Sequence, residues 1–297
     1  MQPVAWVANY GSATVTPVNL VTRKAGRPVR VGSDPVAIAV TPDGRTVYVV
    51  NQGSGTVTPI NVADGRAGPP IVVGDGPRVI AVAPDGRTAY VANWEGGTVT
   101  PIDTTTGQAQ QPIPVGSFPS AIAVSPDGNA AYVANDGSDT VTQIQTATQT
   151  AGYTAPAGYG PDALAVTPDG RTVYVVDGNS DQVTPIETAT GRPGPATGVG
   201  YSPVAITMPA SGSTAYVVSS IAGTVTPLAT VSGRTGAPIS VGEYSYPANL
   251  ILSGSTALVL DPYAGQVTLV STATRRVTAQ VTVGSFPVAA VVSRALS

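Results

Sequence analysis

Apolar residues alternate with small or polar ones in runs of about six along the whole chain, and turns rich in Pro, Gly, Asp and Asn separate the runs. Period-two alternation predicts half-buried strands, because a helix would place its apolar residues every three to four positions. The stretch from Pro77 to Gly116 shows the order of elements. Pro77-Arg78-Val79-Ile80-Ala81-Val82 reads as a first strand, and Ala83-Pro84-Asp85-Gly86-Arg87 as the turn that ends it. Proline presets φ and Asp-Gly tolerates positive φ, so this turn reverses the chain. Thr88 to Asn93 reads as a second strand, Asn93-Trp94-Glu95-Gly96-Gly97 as a second loop, and Thr98 to Asp103 as a third strand. A polar hairpin then leads to a short outer strand, Pro112-Ile113-Pro114-Val115. The third strand carries a proline at Pro17, Pro59, Pro101, Pro185 and Pro227. Proline has no N–H to give a ladder, so a bulge or a missing bond to a short outer strand is expected there.

The pattern repeats. Tyr48, Tyr90, Tyr132, Tyr174 and Tyr216 stand 42 residues apart, and the phase extends back to Trp6 and forward to Leu258, giving seven units. A period of this size with several short strands per unit predicts an all-β fold, a seven-bladed β-propeller of four-stranded antiparallel blades. The blades are expected at 36–73, 78–115, 120–157, 162–199, 204–241, 248–283, and 288–297 joined with 1–31, all in one domain spanning 1–297. The ends explain the last assignment. Pro287 to Val292 is a first strand with no second strand after it, while residues 4–31 supply second, third and fourth strands with no first. Sharing one blade closes the ring and removes an exposed sheet edge.

Composition narrows the chemistry. Hydrophobic residues make up 42% of the 297 and charged ones 10%, which supports a core, and no apolar run is long enough to span a membrane. A soluble monomer is expected. Cysteine and histidine are both absent. These residues supply most general bases, nucleophile partners and transition-metal ligands, so Ser-His-Asp and Cys-His mechanisms are excluded and no cofactor is expected. The chain opens Met1-Gln2-Pro3 and is strand-like by Val4, with no basic and apolar signal segment. The expectation is a cytoplasmic protein, or an exported one whose export segment lies outside this sequence.

The second strand reads Tyr-Val-Val-Asn at 48–51, Tyr-Val-Ala-Asn at 90–93 and 132–135, Tyr-Val-Val-Asp at 174–177 and Trp-Val-Ala-Asn at 6–9. With the Pro-Asp-Gly turns at 42–44, 84–86, 126–128 and 168–170, this resembles the YVTN family of β-propeller repeats over essentially the whole chain. The resemblance implies seven blades, and functions ranging over surface-layer and envelope proteins, with some similarity to propeller lyases.

In a propeller the loop after the second strand and the joint into the next first strand share one face, the top. Asp34, Asp75, Glu95, Asp136, Asp139, Asp162, Asp177, Asp181, Glu243 and Asp261 fall there, with Arg78 as the only base. Most other bases fall in segments of the opposite face, one or two per blade with few aromatics among them, which argues against nucleic acid. Tyr10, Trp94, Phe118, Tyr159, Tyr201, Tyr244, Tyr246, Tyr263 and Phe286 also fall on the top. Aromatic faces beside carboxylates bind sugars or ammonium groups, although such rings also fill gaps between blades.

Positions that break the repeat are the sharpest candidates. After the first-strand proline the units read Val36, Arg78, Ser120, Asp162, Val204, Ala248 and Val288, a ring expected at the mouth of the central channel. Arg78 and Asp162 come from alternate blades, placed to face one another or to grip a substrate, or else to form a structural ion pair or stand as two independently hydrated charges. Glu243, Tyr244 and Tyr246 lengthen the sixth joint beside Asn249. Asp177, Asn179 and Asp181 alternate as the first oxygen ligands of a calcium loop do, but the closing bidentate Glu is missing, so a polar turn without metal is expected.

The residues support first a binding propeller whose acidic, aromatic top face takes a small molecule, a glycan or a protein loop. The alternative is a non-hydrolytic enzyme, a lyase, isomerase or cyclase, with Asp162, Glu95 or Glu243 as general base and a tyrosine or Arg78 at the developing oxyanion. A structural module of the cell envelope is a further alternative.

Overall fold

Second strands lie at the heart of this structure, and their two-sided burial shows how the alternation works. In Thr46–Asn51, Thr88–Asn93 and Thr172–Asp177 every residue after the first is buried. One set of alternate side chains packs on the following blade and the other set on the preceding one. Tyr48 and Val50 join Ile80, Val91 and Ile102, whereas Val47 and Val49 join Trp6, Val15 and Ala289. The repeated aromatic is therefore an inter-blade wedge, and Tyr90 is 1% exposed. The Tyr174 hydroxyl reaches the following blade, donating to the Thr230 carbonyl at 2.7 Å.

The computed structural model describes residues 3–240, 250–253, 256–271, 274 and 276–293. Seven antiparallel sheets form a ring, nearly without helix. Blade 1 closes it: Pro287–Ser293 pairs with Val4–Asn9, which pairs with Thr14–Asn19. Blades 2 to 7 follow in chain order, with first strands Pro35–Val40, Pro77–Val82, Pro119–Val124, Pro161–Val166, Pro203–Thr207 and Leu250–Ser253. Seven blades, four-stranded sheets and a closing blade shared by both ends all match the expectation from sequence.

The third-strand prolines act as predicted. Pro17 and Pro101 pair in register with Trp6 and Tyr90 on their inner side. On the outer side the ladder breaks, splitting the fourth strand into Lys24–Ala25 and Val29–Arg30 in blade 1, and into Gln108–Ala109 and Ile113–Pro114 in blade 3. Blades 4 and 7 carry Gln143 and Leu269 at this position, and their outer strands run unbroken over Thr150–Pro156 and Arg276–Thr282.

Two features position the top face. Before each described first-strand proline the chain turns left-handed, with φ of 52° at Asp34 and Phe118, 61° at Gly76 and 54° at Phe286. The residue after the proline is then an extra one. Pro77 pairs with Asn93 and Val79 with Ala92, so Arg78 bulges out of the ladder. The same register shift isolates Val36, Ser120, Asp162, Val204 and Val288.

Candidate functional site

A bulged residue has no partner across the strand, so its side chain is free to serve the mouth of the channel instead of the sheet. Val36, Arg78, Ser120 and Val288 line a cavity of about 490 Å³ at this end, together with Tyr10, Gln52 and Phe286. Three successive blades thus present Arg78, Ser120 and Asp162 from one structural position.

Arg78 is held by an aromatic stack. Its guanidinium carbon lies 4.2 Å from the centroid of the Trp94 ring, and Trp94 stacks on Phe118 of the next blade at 5.2 Å with the planes 26° apart. Cation–π attraction of this kind contributes roughly 0.5–2 kcal/mol and fixes the direction of the charge. Ser120 is buried, with its hydroxyl against the carbonyls of Pro161 and Ala134.

Asp162 is half-buried. Burial pushes its carboxyl above the ordinary value of 3.8, the positive charge of Arg78 pulls it back, and the negative charge of Asp136 adds to the rise. Among the described residues the ion pairs within 4.0 Å are Arg45 with Asp43 and Arg66 with Asp64, both exposed. Arg78 and Asp162 therefore attract across a gap and do not close into a direct pair, which corrects the expectation of a structural ion pair.

Other sequence candidates divide. Phe286 joins the cavity and meets Tyr263 edge-on at 5.3 Å. Tyr159 and Tyr201 are each 71% exposed and lie outside the cavity lining, so they do not belong to the mouth. Glu95 is exposed beside the Gly76 joint and is likewise outside the lining. Glu243, Tyr244, Tyr246 and Asn249 lie outside the described residues. Asp177 turns into its blade, accepting from the Thr184 hydroxyl at 2.6 Å and the Gly158 N–H at 3.1 Å, while Asp181 accepts from the Ser202 N–H at 2.8 Å. Asp177, Asn179 and Asp181 do not converge: among the described residues no group of three or more His, Cys, Asp or Glu is placed to hold a metal ion.

Sequence reading puts Tyr10 and Asp136 on the top face without singling them out, and it misses Gln52. A signal exists in the repeat: each stands directly after the second-strand Asn, the position that Trp94 holds in blade 3.

Comparison with known proteins bears on what this mouth does. A family model described as lactonase, 7-bladed beta-propeller, matches residues 5–207, more than half of the chain. No curated protein matches the sequence. Solved structures of the same architecture include hydrazine synthase of Kuenenia stuttgartiensis, 23% identical over 87% of this chain and 90% of that one with a TM-score of 0.79. The periplasmic gluconolactonase of Pseudomonas aeruginosa is 21% identical over 98% and 99%, with a TM-score of 0.79. Virginiamycin B lyase of Staphylococcus aureus is 16% identical over 86% and 87%, with a TM-score of 0.75. At these identities the structural likeness carries the fold alone. The family match overturns three expectations from sequence. A pure binding scaffold, a non-hydrolytic lyase, isomerase or cyclase, and an envelope module all give way to hydrolytic chemistry. The residue types at the mouth misled because a carboxylate, an arginine and aromatic rings serve binding, elimination and hydrolysis equally well.

Proposed function

Because the chain belongs to the lactonase family of seven-bladed β-propellers, we propose that it hydrolyses a small lactone held between Arg78 and Asp162 at the channel mouth. The observation that carries this reading is that these two charges occupy the same bulge position on alternate blades and attract each other without a direct ion pair. The gluconolactonase named among its structural neighbours supports lactone chemistry on this scaffold, and the Tyr-Val-x-Asn strands support a YVTN-type repeat within it.

The reaction needs a base for water, a positive charge for the oxyanion and an acid for the leaving alkoxide. Asp162, whose carboxylate burial makes more basic than an exposed one, takes a proton from water as the water oxygen bonds to the lactone carbonyl carbon. The carbonyl π electrons move onto oxygen, and Arg78, fixed by Trp94, stabilises that negative charge. Collapse breaks the ring C–O bond, the departing alkoxide takes the proton back from Asp162, and the hydroxy acid ionises to solvent. No histidine, thiol or metal enters this sequence of steps. Trp94 and Phe118 stack on each other and hold Arg78 in place.

The test is acid release from simple lactones, followed with a pH indicator and corrected for spontaneous ring opening. Wild-type protein should turn over, while Asp162→Asn and Arg78→Ala should each lose roughly a hundredfold or more in kcat/KM, the scale of losing a catalytic base or an oxyanion donor. Full activity in both variants would remove the channel mouth as the site.

A further inference from the structure

The walls of the mouth are unevenly divided, and the division bears on what the substrate carries. On the side of blades 1 and 2 the cavity is walled by Val36, Ile38, Val288 and Ala289, with Tyr10 and Phe286 at its rim. Val79 and Ile80 continue the apolar wall into blade 3, where Arg78 stands at the boundary. Polar groups enter the cavity from Arg78, Gln52 and the Tyr10 hydroxyl at the rim, and from Ser120, whose hydroxyl already lies against backbone carbonyls. Asp162 does not line this cavity but is within electrostatic reach of Arg78 at its boundary, so only the ester end of a bound substrate meets it.

A polyhydroxylated lactone laid along the Val36, Ile38 and Val288 wall would set hydroxyls against side chains that cannot bond them, at a cost of roughly 1–3 kcal/mol each. Its phosphorylated form would require cations, and among the described residues Arg78 is the one base that lines the cavity. An alkyl substituent suits the same walls. We infer that the preferred substrate is a lactone bearing an apolar side chain, its ester carbonyl at Arg78 and its chain along Val36, Ile38 and Val288. This narrows the lactonase reading above and rests on it. A cavity of about 490 Å³ accommodates a small ring together with a chain of several carbons.

The repeat itself supplies benign variants. The bulge position that holds Val36 and Val288 holds Ser120 in blade 4, so serine is compatible with the local fold. Purified wild type, Val36→Ser and Val288→Ser would be compared on δ-lactones with alkyl chains of increasing length and on gluconolactone, with thermal melts confirming that each variant folds. For the wild type kcat/KM should climb about fourfold per added methylene over the first few carbons, the value of burying that group. Gluconolactone should fall at least about tenfold below the longest chain, since its hydroxyls go unpaired. Both serine variants should flatten the climb. Hydrolysis of gluconolactone with no dependence on alkyl length would overturn the apolar-chain inference and leave the lactonase reading intact. No hydrolysis of any lactone above the buffer rate would overturn both.

Discussion

Arg78 and Trp94 come from different strands of blade 3, and the pairing of Pro77 with Asn93 sets the guanidinium over the indole, 4.2 Å from its centroid. Arg78 follows Pro77 and Trp94 follows Asn93, so one register fixes both side chains at the same height. A long cationic side chain ordinarily loses about 2 kcal/mol of rotamer entropy on being fixed. The stack with Trp94, itself stacked on Phe118, has met that cost before any substrate arrives.

Replacing Trp94 with leucine should therefore harm the reaction through Arg78. Without the ring face the guanidinium is free to swing, and roughly 0.5–2 kcal/mol of pre-orientation disappears. The expected loss in kcat/KM is about twofold to thirtyfold, falling more on kcat than on KM because the charge matters most when the oxyanion forms. Steady-state kinetics on a small lactone measures it. A change confined to KM would mean that Trp94 only supports the substrate ring.

The acid limb of the pH–rate profile should report Asp162. The base must be ionised, so kcat/KM falls as pH drops through the Asp162 pKa, which burial raises above 3.8. Asp136→Asn removes a negative neighbour and should shift the inflection to lower pH. Arg78→Lys keeps the positive charge and should hold the inflection nearly in place even where the rate falls, whereas Arg78→Ala should raise it. Initial rates between about pH 3.5 and 8, with spontaneous ring opening subtracted, give the three curves. An inflection unmoved in Asp136→Asn would exclude Asp162 as the titrating base.

The ring was legible in the sequence because blade packing writes itself at a fixed spacing: Tyr48 and Tyr90 stand at the same place in successive sheets, wedged against the next blade. Pro101 announced the break in its outer ladder, since a missing N–H is a property of the residue alone. Arg78 and Asp162 stood out because charge at the bulge position cannot be explained by packing within one blade. Asp136 was harder to see, because its influence on Asp162 depends on two blades converging at the axis, a radial neighbourhood that a 42-residue period does not encode. Glu95 was misjudged for the same reason, as its loop leaves it exposed beside Gly76 while Trp94 one residue earlier faces Arg78.

Two glycines should separate a packing constraint from a conformational one. A Cβ on Gly74 would stand 2.6 Å from Nδ2 of Asn93, which donates to the Thr98 and Thr100 hydroxyls at 3.0 and 2.8 Å. Gly74→Ala must push that buried network aside, at a cost of about 3 kcal/mol. Gly107 has φ of 69° with nothing within 4 Å of the added Cβ, so Gly107→Ala meets only the left-handed backbone penalty of about 1 kcal/mol. Urea midpoints should fall in that order, with m-values unchanged. Equal losses would mean that the Asn93 network yields easily.

Asp177 replaces the asparagine found at 9, 51, 93 and 135, and it is 0% exposed. Burial drives its carboxyl up to about 6, with the charge of Asp139 adding, against hydrogen bonds from Thr184 and Gly158 that favour the ionised form. A group whose folded pKa exceeds its unfolded value binds its proton more tightly when folded. Stability is then greatest below about pH 4, declines as pH rises from 3.8 to about 6, and carries the full penalty above that. A shift of this size corresponds to about 3 kcal/mol at pH 8. Asparagine suits the site, because in blade 4 Asn135 accepts from the Gly116 N–H and donates to Thr142, the counterparts of Gly158 and Thr184. Asp177→Asn should therefore raise the thermal midpoint by several degrees at pH 8, and the gain should shrink to less than about 1 kcal/mol at pH 4. A gain independent of pH would show that Asp177 is ionised without penalty in the folded blade.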